Sequence, residues 1–192
     1  MKKLSILIAA ASLAISAQAQ TPAAPAATTG APAAAAPATP APKPLGMADK
    51  KFLKDLSEAI LLEQKYLQVF TDAKPTLAET TQRDTNKITA ELKRVWTALA
   101  KVATAKGAEL ATEVSKSDAA KIDKLSKEKP DKIVKEFFKD FGKETGRTVK
   151  LLDSAKSLQD PDVKVFVEDW SAVLKGHDKA AQAGEKSATA KK

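Results

Sequence analysis

Residues 160–174 read Asp160-Pro161-Asp162-Val163-Lys164-Val165-Phe166-Val167-Glu168-Asp169-Trp170-Ser171-Ala172-Val173-Leu174, and their pattern decides the fold class. Asp160 offers a carboxylate to the free N–H groups of a helix start. Pro161 stands in the first turn, where its missing N–H costs nothing, and Asp162 complements the positive end of the helix dipole. Behind that start, Val163, Phe166, Val167, Trp170, Val173 and Leu174 recur at helical spacing. The run is therefore an amphipathic helix whose apolar face needs other helices to cover it.

The same period extends upstream. Leu53, Leu56, Ile60, Leu67 and Phe70 form one stripe between Ala48 and Phe70, with Lys50, Lys51, Lys54, Asp55 and Lys65 mostly off it. Thr71 to Lys74 break the pattern, and Pro75 predicts the first turn of a second helix reaching about Lys106. Its stripe is Ile88, Leu92, Val95, Leu99 and Val102, and Gly107 is placed for a left-handed C-terminal residue. Between Ala111 and Lys129 a shorter helix is expected, capped by Ser115 or Ser117 and anchored only by Ile122 and Leu125. Pro130 and Asp131 then open a long helix carrying Val134, Phe137, Phe138, Phe141, Val149 and Leu152. Gly142 and Gly146 fall inside it and predict a bend or a close helix approach near Gly142. No sustained period-two run is present, so no sheet is expected. The economical arrangement is an all-α antiparallel four-helix bundle with an additional short helix between the second and third long ones.

The chain before this domain reads differently. Lys2 and Lys3, the apolar run Leu4 to Ile15 and the small residues of Ala17-Gln18-Ala19 make residues 1–19 a secretory signal peptide, with cleavage expected before Gln20 and a periplasmic location. The apolar run falls short of the roughly 20 residues that span a bilayer, and no later segment reaches that length. Residues 20–45 are almost wholly Ala, Pro and Thr, a composition that cannot bury enough apolar area to fold. They read as a solvated leader, or, more ambitiously, as a semi-rigid stalk. Residues 46–183 are the bundle domain, and 184–192 a basic flexible tail. There is no cysteine, which excludes a lipid anchor at the cleavage site, a disulfide, a thiolate metal site and a thiol nucleophile.

Four short stretches carry a family likeness: Ala48-Asp49-Lys50-Lys51-Phe52-Leu53, Leu62-Glu63, Asp160-Pro161-Asp162-Val163-Lys164-Val165-Phe166 and Leu174-Lys175-Gly176-His177. Through them the chain resembles, over most of residues 48–181, the exported bacterial proteins grouped as domain-of-unknown-function family 4142. The resemblance implies a ferritin-like bundle and a first-helix glutamate, matched here by Glu63. It also implies histidines in the second and penultimate helices, yet residues 84–99 and 137–152 contain none.

That departure bears on chemistry. A di-iron centre in a bundle takes carboxylates from four helices and two Glu-x-x-His pairs. This chain has a single histidine, and Arg94 and Arg147 stand three residues after Glu91 and Glu144, where those ligands belong. No metal or other cofactor is therefore expected, and the weak candidates are Glu63 and His177. Glu63 lies on the apolar stripe between Ile60 and Leu67. It reads as a remnant ligand or buried base, or, more simply, as half of a structural ion pair with Arg83, since a turn near residue 73 sets Arg83 or Asp84 opposite it. His177 falls one turn after Val173 and Leu174 on the buried side. It reads as a core or rim residue with one hydrogen-bond partner, and as a ligand it would need Glu144 or Asp140.

With no second histidine, Gly-x-Ser-x-Gly turn or Gly-rich phosphate loop, no catalytic residue is assigned. The net charge of +8 invites a polyanion partner, but Lys2, Lys3, Lys43, Lys186, Lys191 and Lys192 lie outside the bundle. Export removes nucleic acid from the partners and leaves envelope polymers, lipid headgroups or proteins. The expected role is non-enzymatic binding or structural, stress-related work in the cell envelope. The alternatives are a reduced metal-binding ferritin relative and a holdase-type periplasmic chaperone.

Overall fold

The computed structural model describes residues 44–190, without the side chains of Pro130, Asp131 and Ala190. The expected signal peptide, the spacer up to Lys43 and the last two lysines lie outside the described residues. The elements are α1 (Met47–Asp72), α2 (Glu79–Lys106), α3 (Lys116–Ser126), α4 (Pro130–Ser154) and α5 (Pro161–Ala190), with a single 3-10 turn, Ala155–Ser157, before α5. The described residues contain no strand. The fold is a helical bundle of four long helices, with the short α3 between the second and third of them, as the periodicity requires.

Each long helix packs on two others, in the cyclic order α1, α2, α5, α4. The end of α1 meets the start of α4 where Phe70 stacks on Phe137, with ring centroids 3.9 Å apart. The end of α2 meets the start of α5 where Lys106 reaches Asp160 at 2.8 Å and Asp162 at 2.6 Å. Neighbours around the ring are therefore antiparallel, and α2 and α4 run the same way. The connection from α2 to α4 must travel back along the bundle, and α3 lies on that return path, against α1. Side chains of α1 secure it: Ser57 accepts the N–H of Ala111 at 2.8 Å, and Glu58 that of Ser115 at 3.1 Å.

The local signals act as expected at most helix ends. Asp160 Oδ1 accepts the N–H groups of Asp162 and Val163, at 2.9 and 3.2 Å. Ser115, rather than Ser117, caps α3 by accepting from Asp118 N. Gly107 closes α2 at φ 61°, in the left-handed region where a Cβ is strained. The stripe residues Leu53, Leu56, Ile60, Leu92, Leu99, Phe137 and Phe141 are all buried, and transfer of such side chains from water contributes about 1.5–3 kcal/mol each.

Three expectations need correction. Pro75 does not begin α2; residues 75–78 form a link after Lys74, which adopts φ 47°, and Leu77 from that link packs on the core. The helix starts only at Glu79. Leu45, assigned to the spacer, is 6% exposed and belongs to the core. α4 runs through Gly142 and Gly146 as one helix, and Gly142 lies beside Ala181 of α5. Finally, residues 184–190 are not a loose tail but the last turns of α5. Gly184 does not stop that helix because it is buried against the Phe138 ring, in a space no larger residue fits.

A Cβ at residue 184 would overlap the ring of Phe138, which is locked among Phe70 and Phe137. Gly184→Ala should therefore destabilise the bundle by about 1–3 kcal/mol despite the better helix propensity of alanine. Thermal unfolding followed by circular dichroism checks this; a raised midpoint would show that the ring yields freely.

Candidate functional site

Glu63 points inward from α1, as its place between Ile60 and Leu67 predicts, and is 1% exposed. Its partner is not Arg83. That guanidinium stands in solvent, with Asp84 at 4.0 Å as its nearest carboxylate. The reason is the face of α2: Thr85, Ile88 and Leu92 are its buried residues, and two residues earlier Arg83 is turned about 200° away from Thr85. Glu63 is held instead by α4, where Thr148 Oγ1 donates to Glu63 Oε1 at 2.6 Å.

His177 is likewise buried, on α5, at 1% exposure. Neither Glu144 nor Asp140 faces it. Glu144 is taken by Arg147 at 2.7 Å and Lys121 at 3.6 Å, and Asp140 by Lys143 at 3.0 Å. The histidine pairs with Glu91 of α2, Nε2 to Oε2 at 3.1 Å, while its Nδ1 lies 4.0 Å from Glu63 Oε2. Thus α1, α2, α4 and α5 each supply one group to a single polar cluster in the bundle interior. Glu63 Oε2, His177 Nδ1 and the Tyr66 hydroxyl have no hydrogen-bond partner among the described residues.

Burial sets the protonation states here. It pushes the Glu63 carboxyl up to about 7, opposed by the Thr148 hydrogen bond and assisted by the negative charges of Glu144 and Asp178. Burial also holds the His177 imidazole below the ordinary histidine range, against the pull of Glu91. For Tyr66, burial and then the acids Asp140, Glu144 and Asp118 push the phenol upward, so it stays a neutral hydroxyl. A dinuclear metal centre does not fit these residues. Glu91 and Glu144 are engaged with His177 and Arg147, and no group of three or more His, Cys, Asp and Glu side chains is gathered for a metal among the described residues.

The sequence pattern of DUF4142, a domain of unknown function, matches residues 31–183. The chain belongs to the DUF4142 family. The crystal structure of a DUF305 fragment from Deinococcus radiodurans is similar in fold, with a TM-score of 0.63 and 10% sequence identity, covering 73% of this chain and 97% of that one. No curated protein matches the sequence. Within this DUF4142 chain, sequence reasoning found Glu63 and His177 but missed Thr148 and the pairing of His177 with Glu91. Thr148 lies one turn after Glu144, and that spacing was its one available signal.

Glu63 makes stability depend on pH with a definite sign. An acid whose folded-state value rises from 4.5 to about 7 binds a proton that the unfolded chain releases between those limits. Stability from this group is retained at low pH, falls as pH rises from about 4.5 to about 7, and is lower by about 3 kcal/mol above that window. Glu63→Gln, which still accepts from Thr148, should raise stability at about pH 8 and change it little at about pH 4.5. Urea unfolding in chelating buffer measures both; an equal effect at the two pH values would assign the dependence to another group.

Proposed function

We propose that this DUF4142 chain is an exported, non-catalytic bundle protein that binds an acidic component of the cell envelope through the mouth of its bundle. The export part rests on residues 1–19, with Lys2 and Lys3, the apolar run and Ala17-Gln18-Ala19 in the order that a signal peptidase reads. No helix among the described residues is long and apolar enough to cross a membrane.

The observation that carries the binding role is a groove of about 410 Å³ at the bundle end where α1 turns into α2. Leu77, Val134 and Phe138 line it, and Lys74 and Lys135 add positive charge. The groove mixes apolar and polar lining, and its volume lies within the range that binding sites occupy. Lysines there favour anionic groups. The neighbouring hydroxyls of Thr76, Thr81 and Ser187 add donors suited to phosphate or carboxylate oxygens.

Sedimentation with vesicles containing an anionic phospholipid tests the reading. Binding should weaken as salt rises and fall several-fold in the double variant Lys74→Glu, Lys135→Glu, while vesicles of neutral lipid bind neither protein. Retention that ignores salt, or that survives the double charge reversal, would remove the groove from the function.

A further inference from the structure

Val165 stands in solvent on α5 at 53% exposure, and among the described residues Met47 is the only other large apolar side chain so placed. A β-branched side chain lowers helix propensity, and solvent gives it no packing in return. Val165 lines a groove of about 380 Å³ between α2 and α5, with Phe166 and Trp170 beside it on α5 and Ala98, Val102 and Ala105 on α2. One wall is therefore bulky and the other small. Lys106 closes one end by reaching Asp162 at 2.6 Å. Two charged side chains remain on the rim, Lys101 from α2 and Asp169 from α5. Both are exposed, and neither forms an ion pair among the described residues.

We propose that this groove is the interface of a homodimer, in which a twofold axis along the groove sets α2 of each copy against α5 of the other. A twofold contact requires a surface that complements itself. This one does so in shape, because the bulky wall carrying Val165 and Trp170 meets the small wall of Ala98, Val102 and Ala105. It does so in charge as well, because Lys101 meets Asp169 of the second copy.

The register of the two helices permits both matches. Lys106 and Asp162 hold them antiparallel, so residue 101 lies level with residue 167, two residues or ~3 Å from Asp169. By the same count Trp170 lies level with Ala98, and Val165 with Ala103, between Val102 and Ala105. An axis parallel to the helices preserves these levels, so each pairing forms twice. The charges that line the groove also balance, Lys101 and Lys106 against Asp162 and Asp169. A groove of one sign would repel its own copy and fit an oppositely charged partner instead. The interface lies at the end of α2 far from the groove around Lys74, so it is independent of the binding role proposed there.

Sedimentation equilibrium of the purified protein tests the proposal. The mass should rise from one chain toward two as concentration increases to about 100 micromolar. Val165→Asp should raise the dissociation constant at least tenfold. Lys101→Asp and Asp169→Lys should each raise it several-fold, and the two combined should recover most of that loss, because the reversed pair forms again. All three side chains are exposed, and thermal melts by circular dichroism check that each variant keeps its fold. A mass of one chain throughout the range, a dimer that Val165→Asp leaves unchanged, or a double reversal no tighter than either single variant overturns the proposal.

Discussion

A carboxylate enclosed by apolar side chains must find a partner or give up its charge, and Glu63 is where this bundle meets that constraint. Apolar stripes alone permit neighbouring helices to rotate and slide with modest loss. A 2.6 Å hydrogen bond from Thr148 to Glu63 does not, because a shift of one residue would leave the buried Glu63 carboxyl without its donor. The pairing of His177 with Glu91 extends the same demand to the other two long helices. The register of all four is thus tied to a few polar atoms rather than to the greater bulk of the core.

The two ends of the bundle are secured by different chemistry. At one, Phe70, Phe137, Phe138 and Phe141 pack as stacked and edge-to-face rings, a contact that depends on shape and tolerates no added volume at Gly184. At the other, Asp49 is buried and accepts the N–H groups of Gln159 and Asp160, at 3.0 and 3.3 Å, while Lys106 spans Asp160 and Asp162. Asp160 thereby serves twice. It satisfies N–H groups at the start of α5 and, with Asp162, anchors the end of α2 in a chain that has no cysteine to cross-link.

What was legible in the sequence was what local chemistry determines. Asp160-Pro161-Asp162, Ser115 and Gly107 announced helix ends because capping is settled within a few residues, and the apolar period announced the buried faces. Pro75 misled because its fixed φ suits a first helical turn and an extended link equally, and the choice depends on where Leu77 finds the core. The last turns of α5 were missed for a related reason: Gly184 lowers helix propensity, and the contact with Phe138 that offsets this comes from another helix. In the polar cluster, burial of Glu63 and His177 was readable, but their partners were not. Thr148 lies 85 residues from Glu63 and Glu91 lies 86 from His177, so the pairing depends on how whole helices are turned.

The return path between α2 and α4 has a consequence for survival. A connection of this length on a surface is ordinarily where a protease finds slack backbone to draw into its active site. Here Ser57 and Glu58 grip the peptide N–H groups of Ala111 and Ser115 from the flank of α1, and α3 takes up much of what remains. Cleavage there requires those grips to open first, so this return path resists nicking for as long as α1 stays in place.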